Sequence, residues 1–401
     1  MHRRDLITHA PLAAVLTAAA GPALGQPADG AAPSALDGTL APYLDRYKLP
    51  ALAAAVAVGG EITAAGAVGT RRVGTGNPVT RDDRFHIGSD GKAMTSLLAA
   101  MLVEQGKLRW DSTVAQLFPE LAGAMAQSVG SVRLEQLLSH TSGIPSDNEV
   151  QDRLLIQSYS QTELNLEELR YWIVTQLVAQ PLEAPPGERF AYANMGYLLV
   201  GAMIERAAVA TWEELVAARI FDPLGLHTAG FGPQARPGRV DAPLGHRPNP
   251  DGTLKPMLAG PNGDNPEVLG PAGTVHLSIL DFARWAGWNT GEGRRGPALV
   301  SPDSLRKLHA PVVDIPPRPD AKPGTPPPGR YGLGWGTVLL PFSPEPVIFH
   351  GGSNEMNLAY ILLQPKSDFA MVLATNVGGA AADQALRGLA EELYRRYAPA
   401  R

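Results

Sequence analysis

Apolar residues recur at helical spacing in Leu36, Leu40, Tyr43 and Tyr47, which predicts a helix over about 35–47. Two short apolar runs follow, Ala51–Val58 and Ile62–Val68, and Gly59-Gly60 between them predicts a hairpin. The period then turns helical. Ala93–Gln105 has a helical apolar pattern, and Asn165 with Glu168 forms a capping box for a helix reaching about Ala179. Thr211 with Glu214 repeats that signal ahead of Asp222-Pro223-Leu224-Gly225, and another helix follows Leu280, carrying Arg284 and Trp285. Prolines crowd residues 311–330, which excludes a regular helix there and predicts a surface loop. Leu358–Leu363 and Phe369–Thr375 are apolar runs joined by Lys366-Ser367-Asp368, a second hairpin, and a last helix covers about 380–397.

Strands at both ends with helices between predict an α/β (α+β) fold. Its antiparallel β-sheet is flanked by helices and completed by both chain ends, with a mostly helical inserted subdomain at about 95–330. Ahead of this domain, Arg3 and Arg4 precede an apolar stretch from Ala10 to Ala20, and Ala23-Leu24-Gly25 offers small residues for cleavage. Residues 1–25 therefore read as an export signal, with a weak similarity to the twin-arginine type. Residues 26–34 read as a linker and 35–397 as the folded domain. The expected location is the bacterial periplasm or the outside of the cell, without stable membrane insertion once the signal is removed.

Composition narrows the chemistry. A net charge of −5 gives no basic footprint for nucleic acid. The absence of cysteine excludes disulfides, thiolate nucleophiles and Cys-ligated zinc. Nine histidines with no HExxH spacing give no support for a metal site, and no cofactor is expected.

Three stretches carry candidate chemistry. Ser89-Asp90-Gly91-Lys92 opens a predicted helix, and three residues make about one turn, so Ser89 and Lys92 share a face. A lysine beside a serine hydroxyl accepts its proton or acts as an electrostatic partner, and the helix N-terminus favours a developing oxyanion. The same spacing recurs at Ser304-Leu305-Arg306-Lys307, so spacing alone does not distinguish a catalytic pair from a solvated helix turn. Tyr192-Ala193-Asn194 follows Pro186-Gly187 and precedes a helix starting near Met195. Tyr192 reads either as a general base favoured by a nearby cation or as a loop anchor, and Asn194 as a substrate or lysine contact or as a helix cap. His350-Gly351-Gly352-Ser353 is either a place where backbone approaches a ligand or a glycine-rich turn. A nucleophile elbow at Ser353 is disfavoured, because Gly351-Gly352-Ser353-Asn354-Glu355 lacks the closing glycine.

In this order the three stretches resemble the class C β-lactamase family and its relatives, the D,D-peptidases, D-aminopeptidases and esterases. Phe85-His86-Ile87-Gly88, Leu137–Pro145, Tyr192–Tyr197, Pro223-Leu224-Gly225-Leu226, Tyr331–Trp335 and His350-Gly351-Gly352 carry the resemblance over roughly residues 35–397. It implies a β-lactamase/transpeptidase-like fold with Ser89 as nucleophile, Lys92 as its activating partner and Tyr192 as the base that also assists deacylation. Asn194 and the His350–Ser353 stretch would contact the substrate, and the N–H groups of Ser89 and Ser353 would form the oxyanion hole. Ser304 lies after Tyr192, so the order selects Ser89.

Two departures matter. His350 stands where β-lactamases usually carry lysine, and a neutral imidazole grips a substrate carboxylate less well. Asp90-Gly91 is an unusual pair inside the nucleophile motif. The expectation is a serine hydrolase of esters or small amides acting through an acyl-enzyme. The alternatives are β-lactamase or D,D-peptidase activity and, in another class, a penicillin-binding sensor or an inactive structural relative. Expected partners are small-molecule esters, amides or β-lactams. Tyr331, Trp335 and Tyr360 either line the cleft or belong to the core.

Overall fold

The computed structural model describes residues 33–146, 149–260, 262–318 and 321–399. The expected export signal, and the linker up to Ala32, lie outside these residues. Among the described residues no helix is long and apolar enough to cross a membrane.

The main sheet is mixed with helices on its faces. Its strands lie side by side in the order Ser34–Ala35, Glu61–Gly69, Ala51–Val58, Phe369–Thr375, Leu358–Gln364, Val347–Ser353, Gly336–Val338, Gly329–Tyr331 and Val313–Ile315. All neighbours are antiparallel except the first pair, where Ser34 and Ala35 run parallel to Ala64 and Ala65. The N-terminal hairpin thus meets the C-terminal strands at Ala51–Val58 and Phe369–Thr375, and both chain ends complete one sheet.

Strand periodicity explains how helices cover both faces. Ala53, Ala55 and Ala57 point into the core that holds Phe282, Trp285 and Ala286 of the helix Ile279–Thr290. Leu52, Ala54 and Val56 point the other way, into a core with Leu36 at the start of the first helix, Leu40 within it, and Leu386 and Leu389 of the last. Alternate side chains face opposite sides of a strand, so one run with almost no polar residue serves both cores. The predicted hairpins and terminal helices appear as Ala51–Val58 with Glu61–Gly69, Leu358–Gln364 with Phe369–Thr375, Asp37–Tyr47 and Ala380–Tyr397. Both capping boxes form, Asn165 with Glu168 and Thr211 with Glu214.

Three expectations need correction. Ser34, assigned to the linker, pairs in the sheet. The proline-rich stretch is not wholly a loop: Val313–Ile315 and Gly329–Tyr331 pair as the outermost strands, with most of the prolines in the connection between them. Neither strand contains proline, so the ladder between them loses no N–H donor to the proline-rich connection. His350-Gly351-Gly352 is not a turn but part of the strand Val347–Ser353, because ladder bonds and a close neighbour override the low strand propensity of glycine.

Candidate active site

The chain leaves the short strand Arg84–His86, turns at Gly88 and enters a tight 3₁₀ turn, Gly88–Gly91, that runs into the helix Lys92–Glu104. Gly88 has φ +53°, and a Cβ built there would lie 2.5 Å from Ser353 N. On the other side of this contact, a Cβ on Gly352 would lie 1.8 Å from Ile87 O and 2.6 Å from Ser89 N. Two glycines therefore let the sheet strand abut the backbone of the nucleophile turn. Ser89 N and Ser353 N border the same junction. Gly352 thus lets strand backbone approach the nucleophile turn, while a Cβ on Gly351 would meet the Tyr360 ring at 3.0 Å.

Ser89 is half-buried and opens into a cleft of about 790 Å³ that is also lined by Tyr192, Asn194, Ala272 and Ser353. Lys92, one turn on, is fully buried. Its Nζ donates to Ser89 Oγ at 2.9 Å, Asn194 Oδ1 at 2.7 Å and the Ala272 carbonyl at 2.6 Å. Three acceptors match the three N–H bonds of an ammonium group and offset the loss of water. Tyr192 Oη lies 2.8 Å from Ser89 Oγ, and Lys92 Nζ stands 4.9 Å from the centre of the Tyr192 ring. One hydroxyl, one amine and one phenol share a pocket.

Each member is held from behind. The Ala191 N–H donates to His140 O and the Ala193 N–H to His140 Nδ1, and the imidazole packs 4.3 Å from the Tyr192 ring. Burial, with Lys92 nearby, pushes His140 well below the usual histidine range, so the ring is neutral and accepts. Asn194 opens the helix Asn194–Ala208, its N–H bonded to Ser146 Oγ. Its side chain does not cap that helix but accepts from Lys92, which separates the two readings of Asn194. Thr95 fixes the segment bearing Ala272, donating to Pro271 O at 2.7 Å and accepting from the Trp212 indole at 3.1 Å. Buried Arg170 bonds Val268 O at 3.2 Å, Glu213 at 2.8 Å and Glu205.

His350 stands apart from this group. It is 1 % exposed and does not line the cleft. Its Nδ1 faces Gly351 O at 2.9 Å, and its Nε2 faces the Tyr331 hydroxyl at 2.9 Å. A carbonyl only accepts, so Nδ1 carries the proton and Nε2 accepts from Tyr331. Burial, reinforced by Lys92, pushes His350 down to about 3. Ser353 lines the cleft, but its hydroxyl donates to Asn357 O and accepts from the Glu355 N–H. Tyr331, Trp335 and Tyr360 are all buried, which assigns them to the core.

His140, Ser146, Thr95 and the Ala272 carbonyl were not singled out by sequence reasoning. His140 lay within a stretch quoted for its resemblance. A backbone carbonyl leaves no residue-type signal, and Thr95 acts through contacts 117 and 176 positions away.

A serine hydroxyl bracketed by a buried lysine and a tyrosine, on a turn between a mixed sheet and a helical region, defines a serine hydrolase of the β-lactamase fold. The chain belongs to the Beta-lactamase family, whose model matches residues 36–395. It is 29% identical over 340 residues to "Penicillin-binding protein 4" of Amycolatopsis lactamdurans, covering 83% of this chain and 82% of that protein. The octameric penicillin-binding protein homologue from Pyrococcus abyssi superposes with a TM-score of 0.69 at 25% identity, over 88% of this chain and 76% of that one. The D-amino acid amidase from Ochrobactrum anthropi SV3 shares the fold, with a TM-score of 0.67 at 19% identity over 90% and 95% of the two chains.

Proposed function

We propose that the protein hydrolyses ester or small amide bonds through an acyl-enzyme on Ser89. The observation that carries this is the position of Ser89 Oγ, 2.9 Å from Lys92 Nζ and 2.8 Å from Tyr192 Oη. Both distances are within proton-transfer reach. Ser89 Oγ attacks the substrate carbonyl carbon, and its proton passes to the Lys92–Tyr192 pair. The carbonyl oxygen becomes an oxyanion facing Ser89 N and Ser353 N. The pair then returns the proton to the leaving alcohol or amine as the carbon–heteroatom bond breaks. Water repeats the sequence on the acyl-enzyme, releasing acid and free Ser89.

His350 is neutral and shut away from the cleft, so it offers no cation to a substrate carboxylate. That favours uncharged esters and amides. The similarity to a penicillin-binding protein supports a second reading, acylation by β-lactams or D-alanyl peptides. A panel of p-nitrophenyl butyrate, D-amino-acid amides and nitrocefin, with Ser89→Ala as control, ranks the two. Ester or amide turnover above nitrocefin turnover supports the first, and the reverse order replaces it. Turnover retained by Ser89→Ala would falsify both. We also propose that residues 1–25 export the chain; replacing Arg3 and Arg4 by glutamine and fractionating cells tests this, and undiminished export would remove the signal reading.

A further inference from the structure

Asp90 lies between nucleophile and lysine, and the proposed chemistry does not use it. It is fully buried, and neither carboxyl oxygen has a hydrogen-bond partner among the described residues. On the sheet, His350 Nδ1 stands 3.4 Å from Oδ1 but is turned to Gly351 O. The other elements packed on the Gly88–Gly91 turn supply little that would stabilise a negative charge. The Gly270–Gly273 segment has no ionisable side chain. His276, on the strand Val275–Ser278, bonds Gly232 O and is held down to about 4 by burial. Tyr360, on the next strand, is engaged with Asp383. Lys92, on the following helix, is the one cation among the described residues that acts on Asp90. Burial outweighs it and pushes the Asp90 carboxyl well above the usual carboxylate range.

We propose that Asp90 is a positioning residue for the proton transfers at Ser89: as a neutral acid it leaves the Lys92–Tyr192 pair able to take the serine proton, and as a carboxylate it holds that pair protonated and stops acylation. This rests on the reading that Ser89 is acylated. The conclusion does not depend on which partner accepts first. A negative charge behind the turn stabilises the ammonium form of Lys92 and opposes the phenolate form of Tyr192, so both routes close together. The switching step is loss of the Asp90 carboxyl proton to hydroxide, giving carboxylate and water. His350 stays neutral throughout, so it does not supply the switch.

The experiment is the rate of Ser89 labelling by a fluorophosphonate, read by intact mass from neutral to strongly alkaline pH. In the wild type the rate falls at high pH, approaching about tenfold per pH unit once Asp90 has ionised. Asp90→Asn, which has the same shape and no ionisation, removes that fall. A purely structural role predicts a loss equal at every pH, and that result, or an identical alkaline fall in both proteins, overturns the proposal. If the variant does not fold, infrared difference spectra of the wild type decide. The carbonyl band of a protonated acid must disappear over the same pH span as labelling, and labelling lost with the band intact overturns the proposal. No adduct on wild-type Ser89 at any pH overturns the acyl-enzyme reading itself; an adduct without the pH effect overturns only the role of Asp90.

Discussion

Ser89 and Lys92 stand where the turn Gly88–Gly91 meets a helix, Ser89 half-buried at the cleft and Lys92 fully buried, whereas Ser304 and Lys307 stand half-buried on the helix Pro302–His309. The spacing is the same, and both pairs place serine and lysine one turn apart. Lys92 is fully buried among three acceptors. Lys307 is 37% exposed, with Glu135 at 3.5 Å, and the Ser304 hydroxyl donates to Glu104 at 2.6 Å. A carboxylate takes the place that a phenol holds beside Ser89. The motif brings two side chains together, and removal of water makes the pairing chemically useful, since a desolvated amine has few partners with which to share its protons.

Substitutions at equivalent positions separate the two pairs. Ser89→Ala lowers turnover of the best panel substrate by about ten-thousand-fold or more, in line with loss of a nucleophile, while Ser304→Ala leaves it within about twofold, because Ser304 lies outside the cleft. Equal effects would mean that depth is not what matters. Lys92→Met lowers kcat by about a hundred- to ten-thousand-fold, the usual range for a lost proton-transfer group. Lys307→Met changes stability by no more than about 0.5 kcal/mol, measured by urea unfolding.

The surroundings that create the depth are testable too. Thr95→Val leaves Pro271 O and the Trp212 indole unbonded, and it lowers stability by about 1–3 kcal/mol. Because that segment carries Ala272, kcat drops as well; a stability loss with kcat unchanged would detach Thr95 from the site.

The remaining effect is on acid stability and shows only below neutral pH. Burial lowers His350 to about 3 and His276 to about 4, from 6.5. Below pH 6.5 the unfolded chain takes up protons that the fold refuses, so stability is full above that value and is lost as pH falls towards 4. His276→Gln and His350→Gln should each flatten the fall in Tm between pH 6.5 and 4, and an unchanged slope would mean that these rings are charged in the fold.

Much of this was legible beforehand because it is written in local signals. The hairpins showed as apolar runs broken by Gly59-Gly60 and Lys366-Ser367-Asp368, and the capping boxes at Asn165 and Thr211 stand where expected. The Val347–Ser353 strand was not legible, since His-Gly-Gly has the composition of a turn, although the strand pairs with its sequence neighbours Gly336–Val338 and Leu358–Gln364. Nor was the inward orientation of His350. Its partners are a hydroxyl 19 residues away and the next residue's carbonyl, and it comes near the Asp90 carboxyl only because two glycines let strand and turn touch.

The sequence by itself determined the element types, the meeting of both chain ends in one sheet, and the three stretches that supply serine, lysine and tyrosine. These follow from periodicity, capping and residue chemistry, which act over a few neighbours. Only the tertiary structure decided which Ser-x-x-Lys pair is desolvated, that Asn194 serves Lys92 rather than its helix, and that His350 faces Asp90 instead of the cleft. Burial and hydrogen-bond partnership depend on which distant segments arrive at a point in space, and no window of sequence contains that information.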